Sequence, residues 1–101
     1  MSHGIYLSRT WTVREGSEGE FLRLWREGVD QLARQLPHAT FRLWRDAHER
    51  THFQSVGGPV ASEDELDAIR GSESFHASME AIAKVLESVE VTSYELLEEI
   101  G

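Results

Sequence analysis

Apolar residues recur at helical spacing in two long stretches and alternate with polar ones in four shorter stretches. The densest helical stretch lies between Ser62 and Leu86, SEDELDAIRGSESFHASMEAIAKVL, where two helix starts follow one another with almost no loop. Ser62 stands three residues before Glu65, the capping-box spacing, so a short helix should start there and stop at Gly71, a residue tolerant of the left-handed conformation that ends helices. Ser72 can cap a second helix, with Glu73 at the end of the helix dipole that favours an anion. Phe75, Met79, Ile82 and Leu86 then form a single apolar stripe.

Ile5 to Val13 alternates as a strand does: Ile5, Leu7, Trp11 and Val13 share one face with Arg9, while Tyr6, Ser8, Thr10 and Thr12 face the other way. Arg14-Glu15-Gly16 ends it. Ser17 and Glu20 have the spacing of another capping box, and Phe21, Trp25, Val29, Leu32 and Leu36 line one side of a helix that Pro37 should stop. Thr40 to Asp46 reads as a strand with Phe41 and Leu43 opposite Arg42 and Trp44. After a polar turn, Thr51 to Val56 returns as its hairpin partner, and Gly57-Gly58-Pro59 should break that strand. Val89 to Leu97 is the last strand, with Val89 and Val91 opposite Tyr94 and Leu96.

The order β-α-β-β-α-β, with the second helical region split, is the ferredoxin-like pattern of the α+β class: an antiparallel sheet with helices on one face. Helices can cover only one face, yet several strands carry large apolar groups on both, as Phe41 and Leu43 do against Trp44. Such a patch marks an interface, and a homodimer is therefore expected.

Composition narrows the function classes. At 101 residues the chain, 1–101, is read as a single domain. A net charge of −8 argues against nucleic acid and anionic membrane surfaces, because phosphate binding needs a basic patch. No run of apolar residues is long enough to span a bilayer. MSHGIYLS has no basic region followed by a long apolar stretch, so a signal peptide is not expected. The chain has no cysteine, hence neither disulfides nor a thiolate metal site. A cytoplasmic protein is the expectation.

Glycine spacing at Gly57 and Gly58 fits no phosphate loop or dinucleotide fingerprint, so no built-in nucleotide cofactor is expected. The histidines are His3, His38, His48, His52 and His76; none pair one turn apart on a helix, and no metal spacing appears. His3, His38 and His48 fall in a terminus, a helix stop and a turn, and should face solvent. His76, at the edge of the Phe75 stripe, is a candidate general acid or base in a cleft between helix and sheet, although the pattern equally suits a solvent-facing flank. His52 shares a face with Gln54 and Val56 and should point into a barrel or into the helix layer. Arg9 is the sharper oddity: it interrupts an apolar strand face, where a guanidinium is costly unless an anion meets it. That anion is either a substrate enolate or carboxylate, or a carboxylate from a helix. Trp11, Trp25, Phe53, Phe75 and Met79 are the expected lining of a pocket around these two catalytic candidates, Arg9 and His76.

An acidic short helix followed by Ser72-x-x-Phe75 opening a longer helix after a β-hairpin resembles the antibiotic biosynthesis monooxygenase family, over about Ile5 to Leu97. The resemblance implies pairing of two sheets as a dimeric α+β barrel, and oxygenation of aromatic polyketides or related small molecules without metal or organic cofactor. It implies a substrate that becomes a stabilised anion and passes an electron to dioxygen, held in an apolar pocket with a positive group for the anion. The heme-degrading branch of that family uses an Asn, a Trp and a His at positions that fall here at Arg9, at Pro59 or Val60, and at Met79; none matches, although methionine can itself ligate heme. Alternatives on the same fold are a non-catalytic small-molecule-binding or sensing domain, and a different enzyme such as an isomerase or heme-handling protein.

Overall fold

A computed structural model describes residues 4–101, and His3 lies outside the described residues. Seven elements follow in the expected order: β1 (Ile5–Val13), α1 (Glu18–Gln35), β2 (Thr40–Arg45), β3 (His52–Val60), α2 (Glu63–Arg70), α3 (Glu73–Ala83) and β4 (Leu86–Glu95). The strands form one antiparallel sheet in the order β2-β3-β1-β4. This is the ferredoxin-like arrangement, with the helices on one face.

The side chains beneath the helices follow from register. Trp11 lies between Phe53 and Val89, Arg9 between Ser55 and Val91, and Leu7 between Gly57 and Ser93. The helices cover this face in two apolar clusters. Trp11, Val13 and Phe53 pack with Phe21, Ile82 and Leu86; Val60 packs with Leu36, Leu66 and Ile69. In the first cluster the Phe21 ring stands edge-on to Trp11 at 5.3 Å and lies 4.9 Å from Phe53. Such pairs add to the energy of burying three large rings. α1 and α3 lie side by side, with Gly28 against Ser78.

Capping departs from expectation at two of the five helix ends read in sequence. Ser62 Oγ accepts the Glu65 N–H at 3.2 Å, and Ser72 Oγ accepts that of Phe75 at 3.3 Å. Ser17, however, makes no side-chain cap bond; the preceding Gly16 N–H donates to the Glu18 carboxylate, and Glu20 is held by Arg23. Gly71 ends α2 in a right-handed conformation, φ −83°, because Ser72 closes the turn: its N–H and its hydroxyl both donate to the Ile69 carbonyl.

Three strand boundaries also move. β3 does not break at Gly57-Gly58-Pro59 but runs to Val60. The ladder needs backbone groups rather than side chains, and here it needs their absence: a methyl on Gly57 would stand 2.8 Å from the Phe41 ring, and one on Gly58 2.8 Å from the Ile5 carbonyl oxygen. At the other end Leu86 is not the last residue of the α3 stripe but the first of β4, paired with Val13 and still buried. The strand stops at Glu95, before Leu97, which is exposed.

The uncovered face carries Tyr6, Thr10, Thr12, Arg42, His52, Gln54, Val56 and Glu90. Trp44 and Tyr94 stand near its two edges, 49% and 57% exposed. His52 projects from this face into solvent, so it does not enter the helix layer. No described helix is long and apolar enough to cross a membrane.

Candidate functional site

Between the two apolar clusters the helices do not close onto the sheet, leaving a cavity of about 80 Å³. Its floor is β1 and β3: Leu7, Arg9 and Trp11 beside Ser55, Gly57 and Val60. α1 supplies Trp25, Val29 and Leu32 on one wall, and α3 supplies Phe75, Ser78 and Met79 on another. α2 contributes Leu66, Ile69 and Arg70, and Phe41 reaches in from β2 across Gly57.

Arg9 sits at the middle of this floor because alternation along β1 places it between Leu7 and Trp11 on the covered face. Its guanidinium carbon lies 5.2 Å from the centre of the Phe75 ring and 5.7 Å from that of Trp11. These faces attract a cation but do not replace a counter-ion. Nη1 donates to the Met79 sulfur at 3.8 Å, and Nε is buried with no acceptor. Among the described residues no carboxylate pairs with Arg9, so an ion pair to a helix is not what holds it. Burial pushes its pKa well below the ordinary guanidinium range, to about 10, and repulsion from Arg70 acts in the same direction.

Arg70 reaches the same cavity from the last turn of α2. Its nearest carboxylate oxygen, on Asp67, is 4.0 Å away, and the side chain remains 36% exposed. Trp11 is fully buried, with its ring nitrogen donating to Ser55 Oγ at 2.9 Å. Among the described residues, no Asp, Glu, His, Lys or Tyr lines the cavity. In a chain of net charge −8, this interior is cationic.

Of the residues singled out in the sequence, Arg9, Trp11, Trp25, Phe75 and Met79 come together here. Two do not. Phe53 is spent in the core against Phe21. His76 is exposed on the flank of α3, its ring 6.4 Å from that of Phe75, and it does not line the cavity with Arg9. One residue step, about 100° around the helix, separates facing inward from facing out, and Phe75 occupies the inward position. Sequence reasoning missed Arg70 and Ser55. Arg70 reads as an ordinary C-terminal helix cation, and Ser55 is singled out only by its register opposite Arg9.

Solved structures share this architecture along nearly the whole chain. A candidate antibiotic biosynthesis monooxygenase from Nitrosomonas europaea superposes with a TM-score of 0.84 at 16% identity, covering 100% of this chain and 97% of that one. SnoaB, a cofactor-independent oxygenase from Streptomyces nogalater, gives 0.83 at 15% identity, covering 95% of each chain. The fold is that of the antibiotic biosynthesis monooxygenases. A third structure with this fold, a candidate antibiotic biosynthesis monooxygenase from Caulobacter crescentus, gives 0.82 at 19% identity over 93% of this chain and 90% of that one. No protein-family model matches the sequence, and no curated protein does. The likeness to these monooxygenases is therefore one of backbone architecture, and the cavity must speak for its own chemistry.

Proposed function

We propose that this chain is a cofactor-independent monooxygenase acting on a small aromatic or quinone-like molecule in the cavity between sheet and helices, and that it works as a cytoplasmic homodimer. The observation that carries the reading is Arg9 Nε, a buried donor on a charged group with no acceptor. Leaving such a donor empty costs about 1–3 kcal/mol, and the site repays that when an anion enters. A substrate oxyanion on Arg9, flanked by Trp11 and Phe75, would be stabilised as it forms.

The chemistry then balances without a further redox partner. An activated ring CH₂ loses one proton to give a delocalised anion, which passes one electron to dioxygen. The two radicals combine as a peroxide anion, which takes up a proton and expels water, leaving a carbonyl. Arg9 holds the charge on the substrate oxygen until the electron leaves, after which the charge resides on the reduced dioxygen. The apolar walls keep bulk water from the reacting pair. SnoaB, which shares the fold, is a cofactor-independent oxygenase, and that supports the assignment.

A second reading, a small-molecule-binding or sensing domain, draws on one observation: among the described residues, no side chain lining the cavity is suited to relay protons near neutral pH. Dioxygen uptake with a panel of dihydroxy-aromatics separates the two. The oxygenase reading expects uptake, reduced about 100-fold in Arg9→Met, the scale of losing an oxyanion donor. It expects no change in His76→Ala, whose ring lies outside the cavity. Saturable binding with no uptake across the panel would leave the binding domain in its place.

A further inference from the structure

Two guanidiniums meet one cavity to which no described residue contributes an acidic side chain, and they differ in how wet they are. Arg9 is at the floor, between two aromatic rings, with a buried and unpartnered Nε. Arg70 is at the rim, 36% exposed, its only carboxylate contact among the described residues a long one at 4.0 Å. The two repel each other, so the empty cavity holds uncompensated positive charge. A ligand carrying a single delocalised oxyanion would answer Arg9 and leave Arg70 facing an apolar ring.

Solvation decides which anion goes where. A carboxylate is strongly hydrated and costs least where water still reaches it, at Arg70, whose planar fork also matches it with two parallel bonds. A ring oxygen whose charge spreads into an aromatic system is weakly hydrated and tolerates the dry floor beside Trp11 and Phe75. We propose that the ligand of this cavity is an aromatic hydroxy-acid, its ring oxygen on Arg9 and its carboxylate on Arg70. Arg70 is thus the specificity-determining residue, selecting acids over neutral phenols and quinols of the same ring. The inference rests on the reading above only in taking this cavity as the ligand site.

Binding is measured without dioxygen, by quenching of tryptophan fluorescence, with gentisate, methyl gentisate and hydroquinone as probes. Wild-type protein should bind gentisate at least about tenfold tighter than the ester or hydroquinone, the range of one charge-assisted pair. Arg70→Met should bring that ratio close to one through a loss of gentisate affinity. Arg70→Lys, which keeps the charge but not the fork, should fall between. Equal affinity for acid and ester in the wild type, which involves no variant that could misfold, overturns the proposal. A preference for the acid that survives Arg70→Met overturns it too. Selective gentisate binding with no oxygen uptake would sink the oxygenase reading alone. Uptake with neutral hydroquinones and no preference for acids would sink this one alone.

Discussion

Arg9 and Met79 touch through a single long contact, guanidinium nitrogen to thioether sulfur at 3.8 Å. A thioether is a weak acceptor, so the pair satisfies geometry without neutralising charge. The free protein therefore keeps a desolvated cation on its sheet for which the described residues supply no counter-charge.

Removing that cation should stabilise the empty protein. Replacing a buried charged group by an apolar one of similar size is neutral or favourable by about 1–4 kcal/mol. Arg9→Met is therefore expected to raise the urea midpoint while weakening binding of an oxyanion at the cavity floor. An Arg9→Met protein less stable than wild type would mean that the guanidinium is compensated by something other than the rings and Met79.

The same burial sets a pH dependence. Burial lowers the Arg9 pKa to about 10, below its ordinary range, so between about pH 10 and that range the unfolded chain binds more protons than the folded one. Stability from this group accordingly rises with pH across that window, relative to Arg9→Met measured in parallel. Anion affinity moves the other way, holding steady below pH 9 and falling as Arg9 loses its proton above about 10. Titrating gentisate affinity from pH 7 to 11 checks the sign.

Trp11 and Ser55 form the polar joint of the floor. Ser55→Ala leaves a buried indole N–H without its acceptor, at a cost of about 1–2 kcal/mol in denaturant unfolding. Adding Trp11→Phe in the Ser55→Ala background should cost less than Trp11→Phe costs in wild type, because the orphaned donor has already been created.

Helix caps offer an internal control. Ser72→Ala should destabilise by about 1 kcal/mol, since its hydroxyl both accepts from Phe75 and donates to Ile69. Ser17→Ala should stay within about 0.5 kcal/mol, because that side chain caps nothing. Equal losses at both positions would show that the distinction between the two helix starts is not real in solution.

The uncovered sheet face predicts self-association through Trp44 and Tyr94. Sedimentation at micromolar concentration should find a species of twice 11.5 kDa, and Trp44→Glu with Tyr94→Glu should shift it to the monomer. A wild-type protein that sediments only as a monomer would remove the dimer from the proposed function.

Much of the architecture was legible because it rests on local chemistry. Alternation from Ile5 to Val13 assigns every β1 side chain to a face, and the spacing of Phe21, Trp25, Val29, Leu32 and Leu36 assigns the buried side of α1. Boundaries were less legible where two states bury the same residue. Leu86 is apolar at a helical position and also at a strand position, and only pairing with Val13 chose the strand. Gly57 and Gly58 looked like a strand break because their lack of side chains is visible in sequence, whereas the Phe41 ring and β1 backbone that require it are not.

By itself the sequence determined the element order, the two-sided strands and the anomaly of a charged residue, Arg9, on an apolar face, since each depends on neighbours a few positions away. Only tertiary structure decided that Arg70 joins Arg9, that Phe53 goes to the core and that His76 stays outside. Those outcomes depend on how far α2 and α3 stand from the sheet, a distance set by packing among side chains remote in the chain.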